Sequence, residues 1–119
     1  MHLRTEKLAR LFQKEVSLII ARDLTNQDIG FVTVTAVQFN NDTSKATVYI
    51  SIFGEKKARE KSITALNKAK GAVRHLLAER VVLRYMPEIE FKEDLQYDQI
   101  EKTLSIIKTL EDKKNKNEK

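Results

Sequence analysis

The sequence predicts an α+β fold, with one sheet and helices in the order helix, strand, strand, helix, helix, strand and a last helix. Three observations predict it. Apolar residues recur at helical spacing at the N-terminus and again after Lys57. Two runs alternate apolar and polar residues around a polar turn, and Pro87 ends the second helical stretch before a third short alternating run. At 119 residues the chain is one domain by size, long enough for a single modest core.

The first helix is read over residues 5–22, from the stripe Leu8, Leu11, Phe12, Val16, Ile19 and Ile20. Arg4, Lys7, Arg10 and Lys14 mark its polar side. Residues 23–30 are a polar connection ending in glycine. In 31–39, Val32, Val34 and Ala36 fall on one face. In 45–53, Ala46, Val48, Ile50 and Ile52 do the same, and Asn40-Asn41-Asp42-Thr43 between the runs signals a hairpin turn. Ile63, Leu66 and Ala69 give a helix over 57–70. Gly71 interrupts it, and Val73, Leu76 and Leu77 continue a second helix toward Glu79. Arg80 then either snorkels along the surface or marks the end of that helix. Residues 88–91 alternate as a third strand. Leu95, Ile100, Leu104, Ile107 and Leu110 suggest a last helix, and residues 111–119 carry no apolar side chain and are expected to be disordered.

Charge is concentrated. The whole chain carries +5, residues 1–54 carry +1, residues 55–84 carry +6 and residues 85–119 carry −2. One segment thus holds more than the entire net charge, as expected of a phosphate-backbone binder, though a solvated lysine-rich helix face gives the same count. Lys57, Lys61 and Lys68 lie along one side of the second helix, Lys70 and Arg74 sit one turn apart beyond the interruption, and Arg80 and Arg84 follow. Each can neutralise a phosphate. Phe31, Phe39, Tyr49 and Phe53 are expected on the hairpin side opposite Val48 and Ile50, either stacking bases or packing under a terminal helix.

Other chemistry finds little support. With no cysteine, a disulfide scaffold and a thiolate metal site are excluded, and a reducing cytoplasm suits the composition. His2 is terminal and His75 is isolated, so no metal is expected. Serines 17, 44, 51, 62 and 105 have no activating base in their local sequence, and the three glycines are too dispersed for a phosphate loop. Glu88 and Glu90 would share a strand face and suit solvation better than acid–base work. No apolar run reaches membrane-spanning length, and the charged first ten residues do not suggest a secretory signal. An enzyme is therefore not expected, nor any cofactor.

Three blocks, in order, carry a family resemblance. The first is Ile29-Gly30-Phe31-Val32-Thr33-Val34-Thr35-Ala36-Val37 with Asp42, Ala46 and Val48-Tyr49-Ile50-Ser51. The second is Ala69-Lys70-Gly71-Ala72-Val73-Arg74, with Arg80 and Arg84 beyond it. The third is Pro87-Glu88-Ile89-Glu90-Phe91, closed by Asp94. From about Arg4 to Leu110 the chain resembles the ribosome-binding factor A family of bacterial factors in late maturation of the small ribosomal subunit.

The resemblance implies a type II KH-like domain over 1–110. It has a helix kink at Ala69 and Gly71 where ordinary KH domains carry a GXXG loop. It implies binding to the small subunit and its folded ribosomal RNA; from their charge and placement, Arg4, Lys7, Arg10, Lys57, Lys61, Lys68, Lys70, Arg74, Arg80 and Arg84 are expected to contact phosphate. It further implies a monomeric cytoplasmic factor linked to growth in the cold, with an assembly GTPase as a further partner. One departure stands out: the family's Asp-Pro-Arg before the Ile-Gly pair is replaced by Asn26, Gln27 and Asp28. A general single-stranded RNA binder and a protein-interaction module are the alternatives.

Overall fold

Residues 45–52 form the centre of the molecule, a strand paired on both sides. The computed structural model describes residues 2–24 and 26–95, with side chains from Thr5 onward. Its elements are α1 (His2–Arg22), β1 (Val32–Phe39), β2 (Lys45–Ile52), α2 (Lys56–Lys68), α3 (Lys70–Arg80) and β3 (Glu88–Glu93). The sheet order is β1-β2-β3, with β1 antiparallel and β3 parallel to β2. This is the expected α+β, type II KH-like arrangement. The expected last helix and charged tail, from residue 96 onward, lie outside the described residues.

α1 forms because its apolar residues return every three or four positions. Phe12, Val16 and Ile19 are fully buried, whereas Leu11 at the stripe's edge is 41% exposed. They meet Val48 and Ile50 of β2, Leu66 of α2 and Val73 and Leu77 of α3 in one core. Each such side chain contributes about 1.5–3 kcal/mol on burial.

β1 departs from strict alternation. Its register against β2 shifts between Val34 and Ala36, leaving Thr35 as an extra bulged residue. Before the bulge Val34 faces the core, and after it Val37 and Phe39 do, opposite Val48 and Ala46. Ala36 is therefore carried to the outer face, opposite Tyr49, which corrects the expectation of an inward Ala36. Phe39 is likewise inward, edge-on to Phe12 with ring centroids 5.1 Å apart. Thr35 is held by its hydroxyl, which donates to Asp94 Oδ2 at 2.7 Å.

The hairpin turn is closed by side chains. The Lys45 N–H donates to Asn40 Oδ1 at 2.9 Å, and the Ser44 hydroxyl donates to Asp42 Oδ1 at 2.6 Å. Those bonds hold Thr43 at φ 56°, a left-handed conformation unusual for a β-branched residue. After β2, Gly54 turns the chain at φ 131°, and a Cβ there would lie 3.3 Å from that of Ala58.

A parallel partner for β2 requires a long crossover, which α2 and α3 supply. Asn67 near the end of α2 fastens the arriving strand. Its Nδ2 donates to the Phe91 carbonyl at 3.1 Å and its Oδ1 accepts the Phe91 N–H at 2.9 Å. On the opposite sheet edge, Gln13 Nε2 donates to the Val34 carbonyl at 3.1 Å. Arg59 of α2 reaches Glu93 of β3 at 2.9 Å, with both side chains about four-fifths covered at 20% and 21% exposure.

Replacing Asn67 with leucine removes both bonds to β3 and leaves two backbone groups of Phe91 without them. Chemical denaturation should show a loss of about 2 kcal/mol, with the midpoint lowered; an unchanged midpoint would mean that Asn67 is dispensable.

Candidate nucleic-acid interface

The two crossover helices meet at a single residue. Ala69 ends α2 and begins α3, with φ −89° and ψ 1°, and its N–H still donates to the Ala65 and Leu66 carbonyls. The break therefore falls on Ala69, and Gly71 lies inside α3. A Cβ at Gly71 would meet nothing within 4 Å, so close packing within the chain does not require glycine there. The expectation that Gly71 itself interrupts the helix is corrected. Gly71 instead lies on the wall of an open groove of about 480 Å³, with Asn67, Lys70 and Arg74 from the helices and Lys45, Glu88, Ile89 and Glu90 from the strands.

Charges in this groove are partly committed. Lys45 and Glu90 form an ion pair at 2.5 Å. That bond holds the Glu90 carboxyl below the ordinary glutamate range and the Lys45 ammonium above the ordinary lysine value. Arg74 turns its guanidinium back to the protein, donating through Nε to the Pro87 carbonyl at 3.1 Å and through a terminal nitrogen to the Met86 carbonyl at 2.9 Å. It thus positions the loop before β3 as well as bordering the groove. Lys70 is exposed at the helix start.

A second groove, of about 390 Å³, runs between α2 and the loop 26–28. Lys57, Lys61 and Lys68 line it together, as their spacing predicted. Asp28 forms an ion pair with Lys61 at 3.2 Å. The loop is anchored through buried Ser62, whose hydroxyl donates to the Asp28 carbonyl and accepts the Gly30 N–H, both at 3.2 Å.

The remaining cations scatter. Arg80 is the last residue of α3 and pairs with Asp23 at 2.7 Å and Glu15 at 4.0 Å, locking α3 to α1. Arg84 lies over the Tyr85 ring, 5.6 Å from its centroid. Lys7 and Arg10 are exposed on α1, and the side chain of Arg4 lies outside the described residues. The structure thus brings together Lys57, Lys61 and Lys68 in one groove and Lys70 and Arg74 in the other, and gives Arg80 a partner within the chain. Lys45 and Asn67 were missed, because neither sits in the basic helical segment with a pattern of its own. His75 stands beside Glu79 at 3.4 Å, and among the described residues no group of acids and histidines could hold a metal. No helix among them is long and apolar enough to cross a membrane.

Comparison with known proteins follows the same outline. A family model described as Ribosome-binding factor A matches residues 4–107. A ribosome-binding factor A of Macrococcus caseolyticus is 43% identical over 98 residues, covering 82% of this chain and 86% of that protein. The crystal structure of ribosome-binding factor A from Thermus thermophilus is similar with a TM-score of 0.68 at 28% identity, over 75% of this chain and 93% of that one. A homology model of a Thermus thermophilus ribosome-binding factor A, fitted into an electron cryo-microscopy map of a 30S complex, aligns with a TM-score of 0.55 at 30% identity, over 73% and 87%.

Two measurements check this geometry. In Glu90→Gln, the Lys45 ammonium should titrate lower than in the parent, and in Lys45→Met the Glu90 carboxyl should titrate higher, both followed by NMR. The pair's contribution to the folded state is present between these limits. It is lost as pH falls through the lowered Glu90 value or rises through the raised Lys45 value. Gly71→Ala should raise stability by roughly 0.5 kcal/mol in thermal unfolding, since a helix gains from alanine where space is open.

Proposed function

Because the chain belongs to the ribosome-binding factor A family, we propose that it binds the immature small ribosomal subunit and assists late maturation of its ribosomal RNA without catalysing a reaction. The observation that carries this is the pair of grooves flanking the Ala69 break. They place Lys57, Lys61 and Lys68 on one side and Lys70 with Arg74 on the other. Each ammonium brought to a phosphate releases counterions, which gives affinity without reading sequence. Exposed Lys7 and Arg10, with Arg4 and Arg84, are further cations of this reading and lie outside the two grooves' linings. The subunit complex of the Thermus thermophilus relative supports the choice of partner.

Gly71 supports the reading in a second way. Open space beside a backbone without a side chain lets a sugar–phosphate chain approach the start of α3, where backbone N–H groups favour an anion. Glu88 and Glu90 bound the groove on its far wall and repel a misplaced phosphate. Arg74 and Arg80 are already bonded within the chain, so their first role is to hold the surface in shape. On the family's account the protein works as a cytoplasmic monomer, is most needed in the cold when RNA rearrangement is slow, and is released with an assembly GTPase.

Sedimentation with immature and mature small subunits across a salt series tests this. The protein should travel with small subunits alone, less of it as salt rises. Lys68→Glu with Lys70→Glu should keep the fold by circular dichroism and lower the slope of log affinity on log salt by about 0.7–0.9 per lost contact. Protein that stays at the top of the gradient at every salt would sink the reading.

A further inference from the structure

Two large rings stand in solvent at one end of the sheet. Phe31 is 85% exposed and Phe53 is 83% exposed. The Phe53 N–H donates to the Phe31 carbonyl at 3.0 Å, continuing the β1–β2 ladder one step beyond the Val32–Ile52 pair. Directly opposed residues share a face, and alternation puts this pair on the outer face, away from the core. Burying each ring would gain about 1.5–3 kcal/mol, and the fold forgoes it twice.

Both backbones under the rings are fixed. Phe31 follows Gly30, whose N–H is held by buried Ser62, and Phe53 precedes the turn at Gly54. Cations lie close along the chain. α2 starts three residues beyond Phe53 with Lys56 and Lys57, and the loop leading into Phe31 is the wall of the groove that Lys57, Lys61 and Lys68 line. Acids share this neighbourhood too, Glu60 among the residues that line the groove. Asp28 is paired with Lys61, and Glu55 sits exposed at the start of α2.

We propose that Phe31 and Phe53 form a platform on which unpaired bases of the bound RNA stack while the lysines of α2 take the adjoining phosphates. This deepens the function proposed above and rests on it. A base has an apolar face and a charged backbone; the exposed rings answer the first, and the lysines of α2, which begins three residues beyond Phe53, answer the second. A protein partner would call for a wider apolar patch than this, because next to the rings the outer face carries exposed, polar Thr33, with Tyr49 half-buried and Ser51 buried. Stacking on strand aromatics is also a general means of holding single-stranded RNA on a sheet.

The test is the double variant Phe31→Ala/Phe53→Ala, with Phe31→Leu/Phe53→Leu as a second that keeps apolar bulk. Both side chains lie in solvent, so circular dichroism should be unchanged. Affinity for immature small subunits should fall about tenfold or more, with the salt slope kept. In parallel, a single-stranded RNA oligonucleotide carrying 5-bromouridine, irradiated with the wild-type protein, should cross-link to the tryptic peptide 23–45 at Phe31 or to 46–56 at Phe53.

Unchanged affinity in the folded double variants overturns the platform and leaves the basic grooves standing. Failure of the wild type to bind small subunits removes the proposed function. The oligonucleotide then decides the platform, supported by cross-links at either phenylalanine and overturned by none. Kept RNA affinity with a lowered melting temperature would put residues 96–119 of the same chain over the rings. Self-association of the wild type that the variants abolish would put a second copy there. Either result overturns base stacking.

Discussion

The parallel pairing of β3 with β2 is the constraint on which the rest of this structure depends. Parallel neighbours cannot be joined by a tight turn, so the chain must travel back along the sheet before it can add the third strand. α2 and α3 make that return, and the break at Ala69 lets them turn over the sheet. Asn67 and Arg59 then tie the returning helix to β3, and Arg74 ties the second helix to the loop before it. The basic grooves follow from this arrangement, since the residues that border the break also border the strand that the crossover delivers.

The element order was legible because it rests on periodicity, which local sequence carries. α1, the hairpin, the divided second helical stretch and β3 could all be read from spacing alone. The bulge at Thr35 could not. Period-2 reading assumes no inserted residue, and neither glycine nor proline marks the spot. One extra residue was enough to exchange Ala36 for Val37 in the core and to bring Phe39 against Phe12. Spacing alone put the helix break at Gly71, whereas the kink expected from the resemblance named Ala69, where it falls, together with Gly71. Glycine has the lowest helix propensity after proline, yet the break formed at an alanine, whose negative φ needs no glycine and whose N–H stays bonded to the Ala65 and Leu66 carbonyls.

The candidate site was legible as a charge density and less so as a set of contacts. Lys57, Lys61 and Lys68 share a groove because helical spacing alone sets their face. Whether a cation is spent inside the protein depends on groups far away in sequence. Arg80 meets Asp23 across 57 positions, and Arg74 meets carbonyls 12 and 13 positions on. Asn67 bonds a strand 24 positions away, and nothing around it marks it out from an ordinary surface asparagine. The exposure of Phe31 and Phe53 is similarly a property of where the sheet ends.

Both outer strands of this sheet carry a side-chain carboxamide on the backbone, Gln13 at Val34 and Asn67 at Phe91. An open edge is a template on which another chain can add as a strand, and many proteins guard it with charge or proline. Here neutral amides occupy backbone groups of both outer strands, and the β1 strand is further bent by its bulge. Strand addition at either point must first displace a side chain that is already well bonded. At these two positions the open edges of a sheet with an apolar central strand are covered by neutral side chains, with no charge added at either point.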